Sequence, residues 1–180
     1  MTAVVNDELD ERLYGAFWQK LQQSKYDLIY YSLHFNNCIK ISRIIKYTII
    51  FVTSLATGAW MNWNDIDWVG NTCAIIILIS QAISAISELF PYESRKLELR
   101  ELTAELEPIY IGMENDWRSI QNSKISNSEI QELIQSYDKK QAEIKRHYLK
   151  EDALPDSEKI RLQADEKTEE YFKYMNEEII

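Results

Sequence analysis

Two stretches of this 180-residue chain contain no charged side chain. The first runs over 18 residues, YTIIFVTSLATGAWMNWN (47–64), and the second over 20, WVGNTCAIIILISQAISAIS (68–87). Crossing about 30 Å of hydrocarbon takes about 20 predominantly apolar residues at the helical rise. Both stretches approach that length, and their flanks differ in charge. Lys40, Arg43 and Lys46 precede the first, Arg95, Lys96 and Arg100 follow the second, and the only charges between them are the acids of NWNDID. Trp60, Trp63 and Trp68 cluster at the connection, where an interfacial aromatic belt would sit. Short basic flanks mark the cytoplasmic side. The sequence thus predicts a two-helix transmembrane hairpin with both termini cytoplasmic and the lipid bilayer as its surroundings. Two buried helices of a bundle are the competing reading, which the interspersed polar residues keep open.

Those polar residues are ordered. At 100° per residue, Ser80, Gln81, Ser84, Ser87 and Glu88 fall within an arc of about 120°, and isoleucines, leucine and alanines fill the opposite side. Hydrocarbon offers no hydrogen bonds, so such a stripe must face protein or water. Copies arranged about an axis would turn their stripes inward, with Gln81 and Ser84 at the constriction and Glu88 as an acidic ring favouring cations. The plainer reading is helix packing, with Glu88 reaching the interface. In the first segment, Thr53 and Thr57, like Ser54 and Gly58, are four apart, a spacing of small residues that lets helix backbones approach closely.

The rest of the chain reads as helix. Leu9, Leu13, Phe17 and Leu21 repeat every four residues, and no proline occurs before Pro91. A long N-terminal helix is expected, with FNN (35–37) as the likeliest bend and Gly15 a weaker one. Trp18, Tyr26, Tyr30, Tyr31 and Phe35 read as helix–helix core. Pro108 is expected to kink or interrupt the helix after Pro91. Ser126 with Glu129 forms a capping box for the next one, and a last helix starts near Asp156. The predicted fold is all-α: a cytoplasmic amphipathic helix (1–43), a transmembrane hairpin (44–90, helices at about 44–62 and 68–90) and a cytoplasmic helical domain (91–180).

Composition narrows the function classes. A formal net charge of −9 argues against binding duplex nucleic acid. Cys38 and Cys73 fit neither a disulfide framework nor a zinc site, and the N-terminus has no secretory-signal pattern. His34 and Cys38 share a helix face, but two ligands make a poor metal site. No phosphate loop, nucleophile elbow or paired His-and-acid motif occurs, so neither catalysis nor a cofactor is expected. Lys139, Lys140, Lys145 and Arg146, together with Arg118, could bind an anionic ligand such as a nucleotide; a solvated helix face is the alternative.

The aromatic N-terminal helix, the closely spaced IIKYTIIFVTSLATGAW and DWVGNTCAIIILISQAISAISELF, the following YESRKLELRELTAELEPIY and the late LPDSEKIRLQADEKTEEYF resemble the SLATT group. These are small bacterial two-transmembrane proteins of antiphage defence loci, one branch being the Hailong-type systems. The resemblance implies an inner-membrane effector that oligomerises, here as a homotetramer, and permeabilises the membrane in abortive infection. It also implies a nucleotide or oligonucleotide signal made by a partner nucleotidyltransferase. No family residue carries over individually. The rival expectations are a non-conducting membrane scaffold that docks a cytoplasmic partner enzyme, and a small transporter subunit.

Overall fold

The computed structural model of the protein describes residues 2–63, 68, 72, 74–82, 92–122, 125–149 and 154–177. The chain is all-α: α1 (Thr2–Trp63), α2 (Tyr92–Gln121), α3 (Asn127–Leu149) and α4 (Glu158–Glu177), with residues 74–82 also helical. It divides into two compact units. One joins Met1–His34 to Glu98–Ile180, and the other is Phe35–Leu97. The boundary at 34/35 falls on the FNN stretch, but α1 stays helical through it and through Gly15.

The first unit is a four-helix bundle. From α1 it buries Phe17, Leu21, Ser24, Asp27, Tyr31 and His34, in steps of three and four. Leu99, Leu102, Leu106, Tyr110, Met113 and Ile120 of α2 keep the same rhythm. This is the spacing that holds one seam of a helix against its neighbours. Fully burying a side chain such as Phe17 or Leu21 contributes about 1.5–3 kcal/mol. Pairings across the core fix the helix directions. Trp18 meets Trp117 and Lys25 meets Tyr110, so α1 and α2 are antiparallel. Tyr137 bonds Asp116 and Tyr148 bonds Glu105, so α2 and α3 are antiparallel too. Trp18 meets Phe172, while Tyr26 lines a groove with Asp165, which makes α4 antiparallel to α1. The result is an up-down-up-down bundle.

Local signals agree with these elements. The Ser126 amide and hydroxyl both donate to the Glu129 carboxylate, at 2.8 and 2.7 Å, which caps α3. Pro108 does not interrupt α2, which runs through it. The intrahelical bond that a proline forfeits is the one to the Ala104 carbonyl, and both residues are exposed, so water can serve that oxygen.

The membrane expectation is corrected. Among the described residues, no helix is long and apolar enough to cross a membrane. Freedom from charge in 47–64 is not apolarity, because Thr48, Thr53, Ser54, Thr57, Asn62 and Asn64 dilute the run. The transmembrane hairpin, the inner-membrane location and the membrane-protein and ion-channel descriptions fall together. Ser84, Ser87 and Glu88 lie outside the described residues.

Candidate functional site

Within the bundle, α1 and α3 are joined by a ladder of polar pairs. Lys20 meets Asp138 at 2.6 Å, the Gln141 amide donates to the Ser24 hydroxyl at 2.8 Å, and Lys145 pairs with Asp27. Gln23 also donates to Asp27 at 2.9 Å. The rungs ascend both helices together in steps of three or four, so α1 and α3 run parallel. Ser24 and Asp27 are buried, and these bonds are what allow polar groups on that face.

On a neighbouring face the Lys25 ammonium sits over two rings, 3.5 Å from the Tyr171 centroid and 4.5 Å from that of Tyr110. Burial pulls its pKa down, against the pull of Glu114 and Glu107. Glu114 accepts from Arg118 at 2.6 Å and from the Tyr171 hydroxyl at 3.2 Å. Burial also pushes Tyr110 up, and the neighbouring Tyr171 hydroxyl adds to the shift. His34 is buried, its Nε2 has no hydrogen-bond partner among the described residues, and burial holds its pKa down.

Between α1 and α4 runs an open groove of about 440 Å³. Gln19, Gln22, Gln23 and Tyr26 form one wall, Asp165, Thr168 and Glu169 the other, and Phe172 lies at its inner side. Its lining includes two carboxylates and no cation. The amides and carboxylates suit donors and positive charge better than an anion.

The second unit exposes a different surface. On α1, Ile44, Tyr47, Phe51 and Leu55 are each about 60 % exposed and share one stripe. Ile75, Leu78 and Ile79 form a second apolar stripe on 74–82. Hydroxyls beside the first stripe are satisfied within the helix: Ser54 donates to the Ile50 carbonyl at 2.7 Å and Thr57 to that of Thr53 at 2.8 Å. Thr53, half-buried, donates to the Ile49 carbonyl at 2.7 Å, and Gly58 lies in the same helix. Ser80 is buried and donates to the Ile76 carbonyl at 2.9 Å, whereas Gln81 is exposed. Of the polar stripe, the described members thus face different surroundings.

The five residues suggested for an anion have separate commitments. Arg118 pairs with Glu114, Lys145 with Asp27, and Lys140 lies 5.7 Å from the Tyr137 ring centroid. Lys139 and Arg146 are exposed. Sequence reasoning passed over the ladder and the groove. Ser24 and Asp27 falling in step with Phe17, Leu21 and Tyr31 was the available signal, since polar residues at core positions demand partners. Among the described residues no group of three or more His, Cys, Asp or Glu could hold a metal ion. Set beside protein-family models, curated proteins and solved structures, the chain finds no match, so no relative bears on the SLATT resemblance or supplies a role for these residues.

Proposed function

We propose that this chain is a non-catalytic helical scaffold, whose apolar second unit joins copies of the chain and whose bundle offers a platform for a partner protein. The carrying observation is the exposed stripe of Ile44, Tyr47, Phe51 and Leu55, with Ile75, Leu78 and Ile79 on the second helical run. Contiguous apolar patches of that kind mark interaction sites. A second copy brings the same apolar stripe, so the surface is complementary to itself in polarity, as a symmetric dimer interface requires. Ser54 and Thr57 can enter such an interface without a desolvation penalty, because their hydroxyls are already bonded to their own helix.

Sedimentation velocity on the full chain tests this, with Phe51→Lys, Leu78→Lys as the comparison. At 1 M salt, where exposed charge pairs are screened, the wild type should sediment as an oligomer and the variant as a monomer of unchanged helix content. A monomeric wild type at every concentration would overturn the reading. So would coverage of the stripe by lipid vesicles in place of further copies.

A further inference from the structure

Two features of the bundle fit one another but cannot meet within one copy. At 100° per residue, Gln131, Gln135, Lys139, Ala142 and Arg146 fall within about 80° of the α3 surface, and all five are exposed. Lys139 and Arg146 pair with no carboxylate among the described residues; Glu132 and Glu143 lie to one side of their stripe. Ala142 between them leaves the stripe flat enough for close approach. The α1/α4 groove presents the counterpart. Asp165 and Glu169 are exposed on its wall, likewise without an ion-pair partner among the described residues, and glutamine amides face them.

The groove runs from Gln19 to Tyr26 on α1 and from Asp165 to Phe172 on α4, about 10 Å along each wall. Lys139 and Arg146 lie about 10 Å apart along their helix, within that length, and their long side chains can converge on Asp165 and Glu169, which are four positions, about 6 Å, apart. A second acidic groove, at Asp116, Glu129 and Glu132, is a weaker receiver. Its Asp116 already accepts from Tyr137 and its Glu129 already caps α3. The α3 stripe lies on the same rigid bundle as the α1/α4 groove, so it can reach only the groove of another copy.

We infer that the basic stripe of α3 docks into the α1/α4 groove of a neighbouring copy, with Lys139 and Arg146 facing Asp165 and Glu169. The contact is head-to-tail, because the two participating surfaces differ. It is independent of the apolar contact through the second unit. It is also sensitive to salt where that contact is not, since exposed charges are screened within about 10 Å at 0.1 M salt and about 3 Å at 1 M.

The test is a charge-reversal cycle on the full chain, followed by sedimentation across a salt series. One variant carries Lys139→Glu and Arg146→Glu, a second carries Asp165→Lys and Glu169→Lys, and a third carries all four. At low salt, each of the first two should weaken the salt-sensitive association by about tenfold or more, and the third should restore it. All four positions are exposed, and thermal melts followed by circular dichroism confirm that each variant folds. A wild type without a salt-sensitive component would overturn the inference, as would failure of the combined variant to restore association. Loss in the groove variant alone would mean that another basic surface fills the groove, which also overturns it. Loss of the apolar association in Phe51→Lys, Leu78→Lys leaves this cycle readable, so the two contacts stand or fall separately.

Discussion

Two glycines in helices behave oppositely because of what surrounds them. A Cβ on Gly15 would meet nothing within 4 Å, so Gly15→Ala should stabilise the bundle by about 0.5–1 kcal/mol through helix propensity alone. A Cβ on Gly112 would lie 3.1 Å from the Tyr137 hydroxyl, which is held at 2.6 Å by Asp116 and cannot yield without loosening that bond. Gly112→Ala should therefore destabilise despite the same propensity gain. In a Tyr137→Phe background the penalty should shrink or reverse, and urea melts of the four proteins give the coupling directly. His34 supplies the acid-side dependence. Burial holds its folded pKa below the ordinary 6.5, so as pH falls the unfolded chain takes up the proton first. Stability should be level above that value and decline below it. The urea midpoint of His34→Phe, compared with wild type through the acid range, should lose that slope.

At the scale of elements, the α1–α3 ladder separates rungs that hold the bundle from rungs that decorate it. Lys20 and Asp138 are nearly half exposed, so Lys20→Met should cost under about 1 kcal/mol. Asp27 is only 13 % exposed at its side chain, and Lys145→Met would leave its charge without its cation, at a cost of about 2–3 kcal/mol. Chemical denaturation of the two variants checks the ranking. These elements also mark what the sequence could disclose. The apolar repeat through Phe17 and Leu21 and the Ser126–Glu129 cap follow from local rules, and both were legible. The continuity of α2 through Pro108 was not, because it depends on the Ala104 carbonyl facing solvent. Nor was the groove, since pairing Gln19 with Glu169 depends on which helices become neighbours. The membrane span was misread because an uncharged stretch and an apolar one look alike until the threonines, serine and asparagines of 47–64 are weighed.

For the whole molecule, the proposed function divides the labour of folding and association between the two units. The bundle is assembled from Met1–His34 and Glu98–Ile180, on either side of the intervening Phe35–Leu97. The buried seams of all four helices lie in those two segments. Replacing Phe35–Leu97 with a short Gly/Ser linker should leave a folded, cooperative bundle that no longer self-associates through an apolar face. Thermal melts and sedimentation would show it. Alkaline pH should unfold the intact protein. Burial raises the pKa of Tyr31, Tyr110 and Tyr137 above the ordinary 10, so above that pH the unfolded chain loses protons that the folded one retains. Tyrosinate absorbance should then rise cooperatively with the loss of helix.

The meeting of Trp18 with Phe172 also sets a clock. Those rings are 154 positions apart in a chain that a ribosome delivers in order, at about 5–20 residues per second. The apolar seam of α1 is thus made about 8 to 30 seconds before its last partner exists. During that interval Phe17 and Leu21 have only provisional company, and nascent copies on neighbouring ribosomes offer the wrong kind. Faithful production of this bundle therefore depends on how the newborn helix is sheltered as well as on how the finished one is packed.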